Sequence, residues 1–456
     1  MGKFKNGLTT SSILEGSIWD KILLFALPLA ATSILQQLFN SADIAVVGRF
    51  AGKQALGAVG SNSSLINLLI NIFIGLSAGA NVVIARFIGQ GNRKSINDAV
   101  HTAVTIALIS GFFVAFVGFF AARPLLKLVS TPDDIIDLST LYLKIYFLGM
   151  PFIMLYNFCA AILRSVGDTK RPLFCLAISG VVNVILNLFF VIGLNLSVAG
   201  VAIATVISNA ISSVLLLYFL TKEDGVLHLD IKKLRLDKDV LKEIAKIGIP
   251  SGLQGMVFSF SNVCIQTAVN SLGSDVVSAS SAALNLENYI YFLLNAFSQA
   301  AVTFVSQNFG ANNLERCKKV TRIALSMSLL CTVIVCTLFV TFGHPLLKIF
   351  TTDKTVIDLA LIRMKYTVTL AFINCIMDLM SGVMRGYGYS LVPAIVSIVG
   401  VCGLRLLWIY TIFPTHKTLA SLMLVYPVSQ AITATCHCVT YVLLRRKLVK
   451  QAKMAQ

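Results

Sequence analysis

The sequence predicts an all-α membrane protein: twelve transmembrane helices arranged as two six-helix parallel repeats. Three observations carry this expectation. Of 456 residues, 57% are hydrophobic and only 12% charged, whereas a soluble domain has roughly 25% charged residues. The apolar residues gather into runs of about 20 or more, the length a helix needs to cross a bilayer. The second half of the chain also repeats landmarks of the first at a nearly constant offset.

The twelve runs lie near 22–47, 56–85, 98–121, 138–163, 172–194, 198–220, 244–271, 278–306, 318–342, 360–384, 392–413 and 418–444. Backbone in hydrocarbon must satisfy its own hydrogen bonds, so spans are helices or closed barrels. Barrel strands alternate over about 10 residues. These runs are longer and apolar on most faces, so helices are expected. The start, "MGKFKNGLTTSSILEG", is polar before Ile22 and has no small-residue cleavage site, so the first span is expected to stay. Asn6 stands where myristoylation requires Ser or Thr. The polar segment "TKEDGVLHLDIKKLRLDKD" divides the chain into an N-lobe at 1–220, a linker at 221–243, a C-lobe at 244–444 and a basic tail at 445–456.

The net charge of +17 is unevenly placed. The loop set containing both termini carries about 26 Lys and Arg, the other about 10. By the positive-inside rule both termini are then cytoplasmic, and the tail "RRKLVKQAK" faces anionic headgroups. The bilayer is the expected partner of this charge; nucleic acid is not. Nine of the ten cysteines fall in spans and Cys317 in a loop, which suits packing better than a disulfide framework. "CHC" at Cys436–Cys438 resembles a metal motif, but residues i and i+2 of a helix point to different faces. No H-E-x-x-H, G-x-S-x-G or Walker-type loop is present. Neither an enzyme nor a cofactor is expected.

"PLLKLVST" at Pro124 returns as "PLLKIFTT" at Pro345, 221 residues on. The same offset joins "IDL" at Ile136 and Ile357, "GQGN" at Gly89 and "GANN" at Gly310, Arg164 and Arg385, Pro172 and Pro393, and Ser208 and Ser429. Only Pro28 and Pro250 slip by one. Six spans per half is an even number, so both halves enter from the same side, as in the parallel repeats of many transporters.

A charged side chain at the bilayer centre costs about 2.5–3.5 kcal/mol on insertion scales. Four ionisable residues read as deep: Asp43, Glu287, Asp378 and Arg405. Asp43 ends a stripe with Thr32, Gln36 and Asn40, spaced to share one helix face. Ser179, Asn183 and Asn187 form a second stripe, Thr205, Asn209 and Ser212 a third, and Asn157 sits in span 4. Such Asn and Ser residues can be interhelical glue worth about 0.6 kcal/mol each, but glue does not need a carboxylate. Asp43 matches Cys264 or Ile265 in the repeat, and Asn183 and Asn187 match Leu404 and Trp408. The acid pocket therefore belongs to one half. In the other direction, Asn157 matches Asp378. Gln36, Asn40, Glu287, Asp378 and Arg405 are candidates for a substrate cavity, with Glu287 attracting cations; alternatively Asp378 and Arg405 pair with each other.

The stretches "LPLAATSILQQLFNSADIAVVGRFAG", "GLSAGANVVIARFIGQGN", "LRSVGDTKRPL" and "MRGYGYSLVP" resemble the multidrug and toxic compound extrusion (MATE) family, over Leu27 to Leu444. The resemblance implies a V-shaped, two-lobed, alternating-access exporter of amphipathic, often cationic compounds, in the plasma membrane and monomeric. It implies the branch with an essential Asp on the first helix, whose H⁺ or Na⁺ pocket matches Asp43, Asn157, Asn183, Asn187 and Thr205. Several relatives carry a second carboxylate where Asn187 stands, so H⁺ is expected over Na⁺. The other branch's acid on helix 7 is absent; Ser259 and its neighbours are uncharged. The rivals are a lipid-linked oligosaccharide flippase of related fold, a major-facilitator exporter and a non-transporting receptor.

Overall fold

The structure is a computed structural model that describes residues 13–129 and 131–454. Most of the polar N-terminal stretch, read above as uncleaved, lies outside the described residues. Among the described residues there is helix and no strand. The first half comprises α1 (Trp19–Phe50), α2 (Lys53–Gln90), α3 (Arg93–Leu128), α4 (Ile136–Leu148), α5 (Met150–Ser165), α6 (Lys170–Leu188) and α7 (Ser197–Thr221). The second comprises α8 (Lys238–Asn270), α9 (Ser274–Gly310), α10 (Leu314–Thr341), α11 (Gly343–Leu347), α12 (Lys354–Thr367), α13 (Ala371–Gly386), α14 (Leu391–Ser397), α15 (Leu404–Thr411), α16 (Leu419–Met423) and α17 (Val425–Met454). A π-helical turn follows α6 at Phe189–Gly193, and another joins α14 to α15 at Ile398–Gly403.

Nine of the described helices are long and apolar enough to cross a membrane. Two bent helix pairs, α4–α5 at 47° and α12–α13 at 45°, pass the same test together and bring the count to eleven if each is one span. The twelfth expected span is α8. It is 33 residues long, but Ser251, Gln254, Ser259, Ser261, Asn262 and Gln266 leave it less apolar than the others.

The duplication is written in the backbone. Left-handed residues recur 221 positions apart: Gly52 (φ 90°) with Gly273 (φ 104°), Gly91 (φ 68°) with Asn312 (φ 57°), and Gly167 (φ 91°) with Gly388 (φ 85°). Each stands where one helix must stop and the next begin. Asn92 then caps α3, its Oδ1 accepting from Ser95 N at 3.1 Å, and Asn313 caps α10, accepting from Arg316 N at 2.9 Å. The repeated "GQGN" and "GANN" are thus a shared helix stop and start. Cys317, expected in a loop, lies in the first turn of α10 and is buried.

The compact units do not follow the expected halves at two places. One unit contains Ala31–Gly252, the other Ile13–Ala30 with Leu253–Gln456. Both cuts fall two residues after a helix proline, Pro28 in α1 and Pro250 in α8. Proline removes a backbone donor and interrupts the helical ladder, so each helix changes its packing partners there. In the second unit Ile18, Ile22, Phe25 and Leu29 join a core with Phe297, Phe304 and Val383, and Phe25 meets Phe304 edge-on at 5.8 Å. Arg316 Nη2 donates to the carbonyls of Glu15 (2.8 Å) and Gly16 (3.0 Å), tying down the start of this segment.

In the first unit α2 and α8 meet through glycines. A Cβ on Gly75 would overlap the Gly252 backbone, and one on Gly79 would press on Ile244 O and Gly248. Small residues allow such close backbone approach, which supplies the packing that lipid cannot. Gly75→Leu should therefore separate the helices and lower the melting temperature in detergent, a loss of at least about 1–3 kcal/mol. Gly60→Ala, where an added Cβ meets nothing, should leave the melting temperature unchanged or raised.

Candidate functional site

The first-half cluster begins with a close approach of α1 and α6. The Phe39 ring lies on Gly180, where any Cβ would overlap it. One turn further along each helix, Asp43 faces Asn183 and Asn187. Asp43 is 9% exposed, Asn183 4% and Asn187 fully buried. Asn187 Nδ2 donates to Asp43 Oδ1 at 2.5 Å and lies 3.2 Å from Asn183 Oδ1. The Thr205 hydroxyl, on α7, is 3.4 Å from Asp43 Oδ2 and 2.9 Å from Val201 O. Asn209 Nδ2 donates to Thr205 O at 2.8 Å and so braces that turn. Tyr142 and Tyr146, stacked at 6.2 Å on α4, lie within electrostatic reach of Asp43. Sequence reasoning missed both; their i, i+4 spacing was the available signal.

Four of the five expected pocket residues thus converge: Asp43, Asn183, Asn187 and Thr205. Asn157 is not hydrogen-bonded to them; its Nδ2 donates to Ile153 O at 2.8 Å on its own helix. Gln36 and Asn40 are exposed on the approach to Asp43. Asn187 Oδ1 is buried without a hydrogen-bond partner among the described residues.

A second cluster lies in the other half. Arg363, 3% exposed, holds Glu287 with two bonds, Nε to Oε1 at 2.8 Å and Nη2 to Oε2 at 2.9 Å. The Thr367 hydroxyl donates to the same Oε1 at 2.7 Å. The Glu287 charge, expected to be open to cations, is therefore matched by an arginine. Arg363 sits near the start of the run 360–384, where charge near a span end is ordinary and gives no local signal of a partner. Arg405 does not pair with Asp378. Its Nη1 donates to Asn262 Oδ1 at 3.1 Å and its guanidinium lies over the Tyr426 ring at 4.5 Å. Arg363 flanks the same ring at 5.9 Å. The half-buried Asp378 accepts through its backbone carbonyl from Ser298 Oγ at 3.1 Å.

The two clusters occupy matching positions. Arg363 and Thr367 stand 221 residues after Tyr142 and Tyr146, and Tyr426 stands 221 after Thr205. Arg405 corrects the earlier match. The π turn at Ile398–Gly403 takes up an extra residue, because its bonds run i to i+5, and this moves the following face by one. Arg405, 222 after Asn183, is the buried residue, and Leu404 is less so. The π turn after Asn187 takes up a residue on the other side and restores the offset of 221 by Ser208 and Ser429. In the "CHC" stretch, His437 is buried with its Nε2 2.9 Å from Ser397 Oγ, and Cys436 is exposed.

A duplicated helical membrane fold with one buried acid cluster in its first half defines a transporter class. The MatE family model matches residues 28–189 and 250–411, one match per half, each beginning at the repeat's proline. The chain belongs to that family and is a multi-pass membrane protein. It is 29% identical over 407 residues to a Bacillus subtilis protein named "Probable multidrug resistance protein YoeA", covering 87% of this chain and 88% of that one. It is 27% identical over 419 residues to the Thermotoga maritima protein named "Probable multidrug resistance protein NorM", covering 88% and 87%. A solved multidrug resistance MATE family transporter in an outward-facing conformation has the same fold, with a TM-score of 0.90, 20% identity, and coverage of 98% of this chain and 99% of that one.

The Glu287–Arg363 pair is buried enough that losing one partner strands the other, a cost of about 3–5 kcal/mol. Glu287→Ala should lower the melting temperature more than the double variant Glu287→Ala with Arg363→Met, measured by thermal shift in the same detergent.

Proposed function

We propose that this protein is a secondary active exporter of amphipathic small molecules that exchanges them for protons at Asp43. The observation that carries this reading is the buried carboxylate bonded to Asn187 and approached by Thr205. Membership in the MatE family and relatives named for multidrug resistance support it.

A buried charge needs a reason to persist, and exchange supplies one. With Asp43 charged, the first half attracts a cationic substrate. Protonation removes that charge, so proton and cation exclude each other at one site. Coupling follows when the two access states differ in their protonation of Asp43, since a ligand shifts a conformational equilibrium only through differential affinity. Alternating access then moves the substrate outward. The arrangement around Asp43 favours a proton over Na⁺. Asn187 presents an N–H donor to the carboxylate, whereas a hard cation requires a shell of oxygens. One carboxylate also gives Na⁺ less charge than the pair that relatives carry. We take the protein as a monomer of the plasma membrane with both termini cytoplasmic, an orientation that the basic-loop bias supports.

Asp43→Asn should abolish dye export driven by a pH gradient in everted vesicles while leaving expression and the melting temperature intact. Full export by that variant would sink the proposal. Asn187→Asp restores a second carboxylate, and exchange should then respond to a Na⁺ gradient that leaves the parent protein unaffected.

A further inference from the structure

We propose that the second half carries an anion-recognition site at Arg405, which takes the carboxylate or phosphate of an amphipathic molecule. This deepens the exporter reading and rests on it, because it names a class of substrate: compounds bearing an anionic group, zwitterions among them.

Arg405 is 6% exposed, and an arginine does not shed its charge. Among the described residues it has no carboxylate partner; the one carboxylate of the cluster, Glu287, is taken by Arg363 through both oxygens. Two guanidiniums therefore flank the Tyr426 ring and only one of them has a carboxylate partner among the described residues, so a positive charge is left over inside a membrane-spanning fold. Such a charge is costly unless something compensates it. Tyr426 and Asn262 compensate in part. The Tyr426 ring faces the guanidinium plane, and Asn262 Oδ1 accepts from Nη1. Among the described residues no hydrogen bond engages Nε or Nη2, and Nε is buried. Those two nitrogens form the edge of the guanidinium that matches carboxylate or phosphate oxygens in parallel bonds. Asn262, bonded to Nη1, is exposed, so the cluster reaches a polar surface through that residue.

The repeat gives this geometry its meaning. Arg405, Tyr426, Arg363 and Thr367 stand at the positions of Asn183, Thr205, Tyr142 and Tyr146, which surround Asp43. Asn262 is likewise 222 residues after Asn40. The guanidinium thus stands at the position of Asn183, a neighbour of the acid, and the place of Asp43 itself is taken by Cys264 or Ile265.

The test uses the purified full chain in lipid nanodiscs and two dyes of one scaffold: rhodamine 110, which carries a free carboxylate, and rhodamine 123, its methyl ester. Fluorescence anisotropy reads binding without requiring transport. Arg405→Gln should weaken rhodamine 110 by about tenfold or more, the scale of a charge-assisted hydrogen bond, and leave rhodamine 123 unchanged. That unchanged ester also certifies the fold. Arg405→Lys, which keeps charge without the fork, should fall between. Native mass spectrometry separates the sources of the anion: a retained phospholipid lost in Arg405→Gln assigns the site to a headgroup, and equal lipid retention with lost acid binding assigns it to the free compound. Binding of both dyes unaffected by Arg405→Gln, with lipid retention also unaffected, overturns the anion site and leaves the exporter standing. Failure of the parent protein to bind either dye, again with no Arg405-dependent lipid, overturns both.

Discussion

A charge held inside a membrane-spanning fold has to be solvated by the protein itself, and each half of this chain is arranged around such a charge. In the first half the Asp43 carboxylate receives an amide N–H from Asn187 and the approach of the Thr205 hydroxyl. In the second, Arg405 has an amide oxygen and an aromatic face. Neither is a salt bridge. The tight ion pair of Glu287 with Arg363 adds no net charge and holds α9 against α12. That pair is thereby cancelled within the scaffold, and the two charges Asp43 and Arg405, without an opposite partner among the described residues, lie in clusters built from matching positions of the two repeats.

Duplication alone would produce two like pockets. Two departures from strict repetition break the likeness. The first is substitution at matching positions, Thr205 against Tyr426 and Tyr142 against Arg363. The second is register. A π turn in each half takes up one residue at a different point, so the inward face of α15 is displaced by one relative to α6. The displacement carries Arg405 to the place of Asn183. Without it Leu404 would stand there, and the arginine would lie at the flank. Wider helical turns of this kind recur where a function needs an off-register side chain.

Much of this was legible in the sequence, for reasons that can be named. The spans follow from length and apolarity, and the repeat from landmarks that turn out to be helix stops at Gly91 and Asn312 and caps at Asn92 and Asn313. The Asp43 stripe was visible because helical period alone puts Asn183 and Asn187 on one face. The Glu287–Arg363 pair was not, since it depends on how α9 and α12 pack, which no local pattern encodes. The π turns were invisible because an i to i+5 turn has no residue signature comparable to a cap, and the match of Asn183 to Leu404 failed at that point. Asn157 was grouped with the pocket by its place in span 4 as well as by resemblance, but its Nδ2 donates to Ile153 O on its own helix.

The division of the chain at its two prolines bears on how a proton could do mechanical work under the proposed function. Asp43 lies fifteen residues after Pro28 on a single unbroken helix element, α1. The segment from Ile18 to Leu29 is packed in the core of the second unit, while the segment from Ala31 onward carries the acid into the first. A change of charge at Asp43 alters the bonds to α6 and α7, and therefore the hold of the first unit on the later part of α1. The earlier part is fixed by Phe25 against Phe304 and by the Arg316 bonds to the Glu15 and Gly16 carbonyls. Strain between the two attachments falls where the backbone ladder already lacks a donor, at Pro28. Under the proposed exchange, protonation of Asp43 acts on a helix that both units share, and a coupling element needs such a shared part, since its bias must act on a discrete equilibrium and not on a single bond.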